Sequence, residues 1–141
     1  MFKKIFEKKD EENINNKNVL ITALLIHAAK IDDNYTDVEK KIIKKALISL
    51  NTVTSSEAEE LLKKGEKIEQ ESNQIVAFTR EIKKNSMEFR LKIIEILWKI
   101  VYSDGSSDSY ESNLIRRVCG LLYISDRDSG MIKLKIKNSM K

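Results

Sequence analysis

The sequence has no proline, only four glycines and a single cysteine. Without proline, and with so little glycine, the tight turns that join strands are hard to build. Leu, Ile, Lys and Glu dominate instead, and the balance predicts an all-α chain. Cys119 stands alone, which excludes an intrachain disulfide and a cysteine-based zinc cluster and fits a reducing cytoplasm. His27 is the sole histidine, so a multi-histidine zinc site is excluded too. No glycine-rich loop offers to cradle a phosphate. Long apolar runs are also missing. The longest, "VLITALLIHAA", falls well short of the roughly 20 residues that a membrane-spanning helix needs. The opening "MFKKIFEKKDEEN" has lysines but no apolar stretch behind them, so it does not read as a secretory signal. A soluble, cytoplasmic chain without a transmembrane segment is expected.

What is present is charge. Twenty-six Lys and Arg face twenty-two Asp and Glu, a formal net charge of +4. A basic balance can mark a nucleic-acid or anionic-membrane partner. Here the positive charge is mostly lysine, with only five arginines, and it is interspersed with Asp and Glu, as on solvated helix faces. A length of 141 residues suits one domain with one core. Residues 1–15 read as a tail or a short amphipathic helix, because Phe2, Ile5 and Phe6 fall at i, i+3 and i+4 among lysines. Such a segment could rest on a membrane, though so few apolar residues bind lipid weakly. Residues 16–141 read as one helical domain.

The helical grammar repeats along that domain. Leu20, Leu24, Ala28 and Ile31 make a first apolar stripe, with His27 on the same side. Thr36 and Glu39 have the capping-box spacing, in which the threonine oxygen accepts the Glu39 N–H and the Glu39 side chain reaches back to the Thr36 N–H. Ile42, Ile43, Ala46, Leu47 and Leu50 follow. Ser56 and Glu59 are a second candidate box, ahead of Leu61, Leu62 and Ile68. Ser72 or Asn73 is expected to start a further helix carrying Ile75, Val76, Phe78 and Ile82. Ser86 should cap the most apolar helix, with Leu97, Trp98, Ile100 and Val101, which is expected at the centre of the core. Asp108 and Glu111 launch another helix, and Ser125 caps a last one. Cys119, between Val118 and Gly120, reads as a small buried hydrophobe.

Two acidic breaks interrupt this pattern, "KIDDNYTDVEK" and "YSDGSSDSYES". A shift of 72 positions lays one over the other, with Asp32 on Asp104, Thr36 on Asp108, Glu39 on Glu111, Ile43 on Ile115 and Leu50 on Leu122. The unit helix, Asp, turn, cap, Glu, helix occurs twice. Two such hairpins can pack about a pseudo-twofold axis and bury their apolar faces together, which predicts a bundle of about six to seven helices. Capping explains most of both breaks. Asp32 and Asp104 stand apart, because a carboxylate at a helix C-terminus faces the negative end of the dipole. Either it accepts N–H bonds from the following turn, or a cation sits among Asp32 and Glu39, or among Asp104, Asp108 and Glu111. Ca²⁺ or another divalent cation takes such hard oxygen ligands. The EF-hand spacing does not apply, since Gly105 directly follows Asp104 and Glu111 comes too early.

The segments "ALLIHAAKIDDNYTDVEKKII" and "ILWKIVYSDGSSDSYESNLIRRV" resemble the two halves of the tellurite-resistance TerB domain, which pairs a-x-A-D-G-x-I/S-x-x-E elements on helices. The second matches better, through Asp104, Gly105, Asp108 and Glu111. In the first, Asp33 stands where the family has glycine, and Asp tolerates a left-handed backbone better than most residues. The resemblance covers Asn16 to Asn138. It implies an all-helical bundle without enzymatic activity, acting as a binding or scaffold module in tellurite and general stress resistance. It further implies protein partners, some of them near the inner membrane, and divalent cations. A homo-oligomer is compatible with it.

A rival reading takes "VCGLLYISDRDSGMIKLKIK" as a helix-turn-helix DNA reader, with Arg116, Arg117, Lys133, Lys135 and Lys137 on phosphates. Recognition helices meet DNA with their first residues. Here those are Asp126, Arg127 and Asp128, and two carboxylates repel phosphate, so nucleic acid is the disfavoured partner.

Overall fold

The computed structural model describes residues 17–31, 35–51, 53–71, 74–104 and 109–139. Among them are seven α-helices and no strand. Helix α1 spans residues 17–29. It is followed by α2 (Asp37–Asn51), α3 (Ser55–Glu71), α4 (Ile75–Ile82), α5 (Met87–Val101), a 3-10 turn (Tyr102–Asp104), α6 (Ser109–Leu121) and α7 (Asp126–Ser139).

The predicted centre is in place. Helix α5 packs against α7, α2 and α6. It buries Ile93, Ile94, Leu97 and Ile100 almost completely. Burying each such side chain is worth about 1.5–3 kcal/mol. Trp98 belongs to the core, and its indole N–H donates to Ser129 Oγ on α7 at 3.2 Å. Helix α1 shares the centre. Its expected stripe was too narrow, for Leu20 and Ile31 are only partly buried while Ile21, Ala23, Leu24, Leu25 and Ile26 are inaccessible. A helix that is apolar all round has no face to offer water and is enclosed. Helix α3 crosses α1 at Gly65, where a Cβ would stand 2.6 Å from the Thr22 methyl carbon.

The repeat is visible in the elements themselves. Helix α1 ends at residue 29 and α5 at Val101, while α2 begins at Asp37 and α6 at Ser109. Both offsets are 72 residues (101 − 29 and 109 − 37). Burial keeps the same register. Ile21 and Ile93, Leu25 and Leu97, Ile43 and Ile115, and Leu47 and Cys119 are all buried pairs at that offset. Helices α3 and α7 follow their hairpins at nearly the same distance. Helix α4 alone has no counterpart among the described residues.

Three of the expected caps are where the sequence puts them. The Thr36–Glu39 box closes, with Thr36 N–H donating to Glu39 Oε1 at 2.9 Å and Glu39 N–H to Thr36 Oγ1 at 3.2 Å. Ser86 and Ser125 accept from the amides of Phe89 and Asp128. Two starts differ. The box of α3 is Thr54 with Glu57, two residues before the expected Ser56 with Glu59. Glu59 instead reaches Lys44 of α2, whose hydrogen bond and charge hold its carboxyl below the usual range. Helix α4 is preceded by Gln74, which makes no side-chain cap. Ser72 and Asn73, the residues expected there, lie outside the described set, as do residues 1–15 and Asp108.

Candidate functional site

Three features of the bundle bear on function. The first is the side of α1, α2 and α3 that surrounds the first acidic break. Tyr35 lies against this side and donates its hydroxyl to Glu66 Oε1 at 3.0 Å. Lys40 and Lys30 stand over its ring, 4.9 and 5.9 Å from the centroid. Burial pushes the Tyr35 phenol up, and Glu66 adds to this through its hydrogen bond and its charge. Deeper on α3, Glu69 is buried. It receives Lys30 Nζ at 2.9 Å and faces His27 Nδ1 at 3.3 Å. His27 is therefore a partnered and mostly buried histidine.

The carboxylates described here are thus engaged with protein donors. Glu39 holds Thr36, Glu66 holds Tyr35, and Glu69 holds Lys30. Among the described residues no group of three or more His, Cys, Asp or Glu could hold a metal ion. Of the residues proposed as cation ligands, only the side chain of Glu39 is described. Asp32 and Asp108 lie outside the described residues, as do the side chains of Asp104 and Glu111. At the second break, the backbone of the 3-10 turn carries α5 on to Asp104, and Ser103 Oγ donates to Ile100 O at 2.7 Å. One carbonyl at that helix end is thereby satisfied.

The second feature is a groove between α2 and α5, with a volume of about 370 Å³. Ile42, Ala46 and Leu50 of α2 and Ile96 of α5 form its apolar floor. Its rim carries Lys45, Lys92 and Lys99 against a single carboxylate, Glu95. Lys99 lies 3.7 Å from Glu95, and Lys92 lies 3.8 Å from Glu88, so both pairs are loose. Lys45 has no ion pair among the described residues. Sequence reasoning took these lysines for a solvated face. The available signal was the seven-residue step from Lys92 to Lys99, which sets both on one side of α5 next to Ile96.

The third feature is the C-terminal pair. Helices α6 and α7 do form a helix–turn–helix, and the turn is a Schellman closure. Ile124 N–H donates to Cys119 O at 2.9 Å and Tyr123 N–H to Gly120 O at 3.4 Å. Tyr123 takes the left-handed position, φ 57°, usually reserved for glycine. Asp126 and Asp128 occupy the first turn of α7 and are exposed. The helix lies against α5, burying Ser129 and Ile136. Cys119 is buried as expected, and burial pushes its thiol up.

The family model described as tellurite resistance protein TerB matches residues 18–134. The chain belongs to the TerB family. The match spans most of the chain, both acidic breaks and all the helices from α1 into α7. Comparison with curated proteins and with solved structures finds no match. TerB is an all-α, tellurite-resistance-associated family and not one known for enzymatic activity. No described helix of this TerB chain is long and apolar enough to cross a membrane.

Proposed function

We propose that this TerB-family chain is a non-enzymatic binding module of tellurite and related stress resistance that works by holding a protein partner. The observation that carries the reading is the α2–α5 groove, an apolar floor of four side chains left open on the surface of the bundle. The groups that could do chemistry point the same way. Cys119 is shut inside the core, and His27 leans on Glu69. Nucleic acid has no part in this reading, since the first turn of α7 is acidic. The family resemblance extends the proposal to partners at the inner membrane. Filling the groove tests it. Ser49→Trp, on the exposed lining of α2, should abolish tellurite tolerance in a strain that depends on this gene while leaving the helical circular dichroism unchanged. Full tolerance with the groove filled would remove the basis of the reading.

A second reading adds a divalent cation at the acidic breaks. It is favoured by the position of Asp104, which ends the 3-10 turn at the carbonyl end of α5. Its test is a titration with millimolar Ca²⁺, Mg²⁺ or Mn²⁺, followed through the amide NMR shifts of residues 102–112. Shifts confined to that turn support the cation, and unchanged shifts leave capping as the whole explanation.

A further inference from the structure

The repeat supplies a template for what the groove holds. At the offset of 72 residues, Lys45 of α2 corresponds to Arg117 of α6, and Lys99 of α5 corresponds to His27 of α1. Arg117 and His27 line a second cavity, between α1 and α6, together with Gln74, Ile75 and Val76 at the start of α4. Helix α4 packs on α6. The α1–α6 cleft is thus the counterpart of the α2–α5 groove, and it is covered by an amphipathic helix of the chain itself. That helix inserts Ile75, Phe78, Thr79 and Ile82, at i, i+3, i+4 and i+7, all buried. No described element covers the α2–α5 groove in the same way.

The dimensions agree. Anchors at i and i+7 span about 10.5 Å along a helix, and the floor from Ile42 to Leu50 spans about 12 Å. Charge then selects among helices. The rim holds Lys45, Lys92 and Lys99 against Glu95 alone, with both rim ion pairs loose. A helix with acidic flanks would satisfy these lysines, while a basic one would be repelled. Residues 3–10, which the same offset lays on α4, carry Lys3, Lys4, Lys8 and Lys9 against Glu7 and Asp10, and they place Lys3, Phe6, Glu7 and Asp10 at the four anchor positions, so their net positive charge and single apolar anchor disfavour them. We propose that the α2–α5 groove is the docking site for an acidic amphipathic helix of a partner protein, seated as α4 is seated on the opposite side. This inference rests on the protein-binding reading above and adds the chemistry of the partner.

The test uses the full chain and a fluorescein-labelled peptide of about 18 residues, five helical turns, with Leu at i, i+3, i+4 and i+7 and Glu at the flanking positions. A second peptide carries Lys in place of every Glu. Fluorescence anisotropy should show the acidic peptide binding, more weakly as salt rises, and the lysine peptide binding at least roughly tenfold more weakly. The triple variant Lys45→Glu, Lys92→Glu, Lys99→Glu alters only side chains at the rim and should keep its fold. It should lose the acidic peptide roughly tenfold or more and gain the lysine peptide. Five results overturn the proposal. The acidic peptide fails to bind the full chain. Both peptides bind alike, or charge reversal changes nothing. Binding emerges only after removal of residues 1–15, which gives the groove to the chain's own segment. Sedimentation finds a dimer that the triple variant dissolves, which gives the groove to a second copy. If the peptides fail while Ser49→Trp still abolishes tolerance, the partner's chemistry is wrong and the binding reading stands.

Discussion

Gly65→Ala should destabilise the protein, although helix propensity alone says the opposite. In a helix interior alanine is favoured over glycine by about 1 kcal/mol. At Gly65, however, the new Cβ would meet Thr22 Cγ2 at 2.6 Å, Thr22 Cβ at 2.9 Å and Ile26 Cδ1 at 3.1 Å. Thr22 cannot turn its methyl away freely. It is fully buried, and its hydroxyl donates to Asn18 O at 2.7 Å. Rotation would trade the clash for a broken buried hydrogen bond, at about 1–3 kcal/mol. Moving α3 off α1 instead costs about 1–3 kcal/mol of overpacking strain, and more if the shift propagates. The net expectation is a loss of about 1–2 kcal/mol, a fall in Tm of about 3–8 °C. Urea and thermal unfolding followed by circular dichroism measure it. The decisive variant is the double mutant Gly65→Ala with Thr22→Ser, which keeps the hydroxyl and removes the methyl. It should recover about 1 kcal/mol or more relative to the sum of the single mutants. If Gly65→Ala is as stable as the parent, or the two changes simply add, the close approach of α1 and α3 does not limit the packing here.

Other consequences can be checked on the same material. The folded-state Tyr35 phenol lies above its ordinary value, first through burial and then through Glu66, so it contributes stability below about pH 10 that is lost as pH rises beyond it. Between pH 8 and about 11 the parent should therefore lose more stability than Tyr35→Phe in urea titrations, and parallel curves would count against this placement of Tyr35. Tyr123→Gly relieves a left-handed residue at the Schellman turn and should raise stability by about 0.5–1 kcal/mol, less what the contact of Lys83 with the ring supplies. A lower midpoint would mean that the ring contact outweighs the backbone strain. Cys119 is 1% exposed, with burial raising its thiol, Ser129 opposing and Asp126 adding to the rise. A thiol reagent should label it no faster than the chain unfolds, and prompt stoichiometric labelling under native conditions would contradict its burial.

The local grammar of this chain was legible because each helix start is written in a few adjacent residues. Thr36 with Glu39, Ser86 and Ser125 each act where their spacing says. The α3 start shows the limit of such grammar. "TSSEAEE" holds two overlapping T/S-x-x-E frames, and both can close a box. The frame from Thr54 leaves Glu59 free to reach Lys44 across the α2–α3 contact. Only tertiary packing distinguishes the two. The same holds for α1, whose spacing suggested one stripe, while Val19, every residue from Ile21 to Ile26, Ala28 and Ala29 are buried because other helices surround them. Of the groove, only the seven-residue step from Lys92 to Lys99 on one side of α5 was legible. Lys45 sits on α2 and Lys92 and Lys99 on α5, and no periodicity within either helix announces that the three converge.

The repeat joins what the sequence shows to what only the structure shows. It was read first from two acidic breaks, where the residues of greatest interest lie largely outside the described set. Its firmer expression is in the helices. Identical offsets at the end of α1 and α5 and at the start of α2 and α6, with burial in register, make the two hairpins equivalent surfaces. Equivalent hairpins present equivalent clefts, and each cleft here has a basic pair at matched positions. Helix α4 covers one of them. Described residues that duplicate three helices and leave α4 without a described counterpart therefore present an apolar cleft still open to water. Exposing Ile42 and Leu50 there forgoes burial worth about 25 cal/mol for each Å². A partner helix that covers the cleft would recover that term, and the lysines around it would decide which helices are admitted.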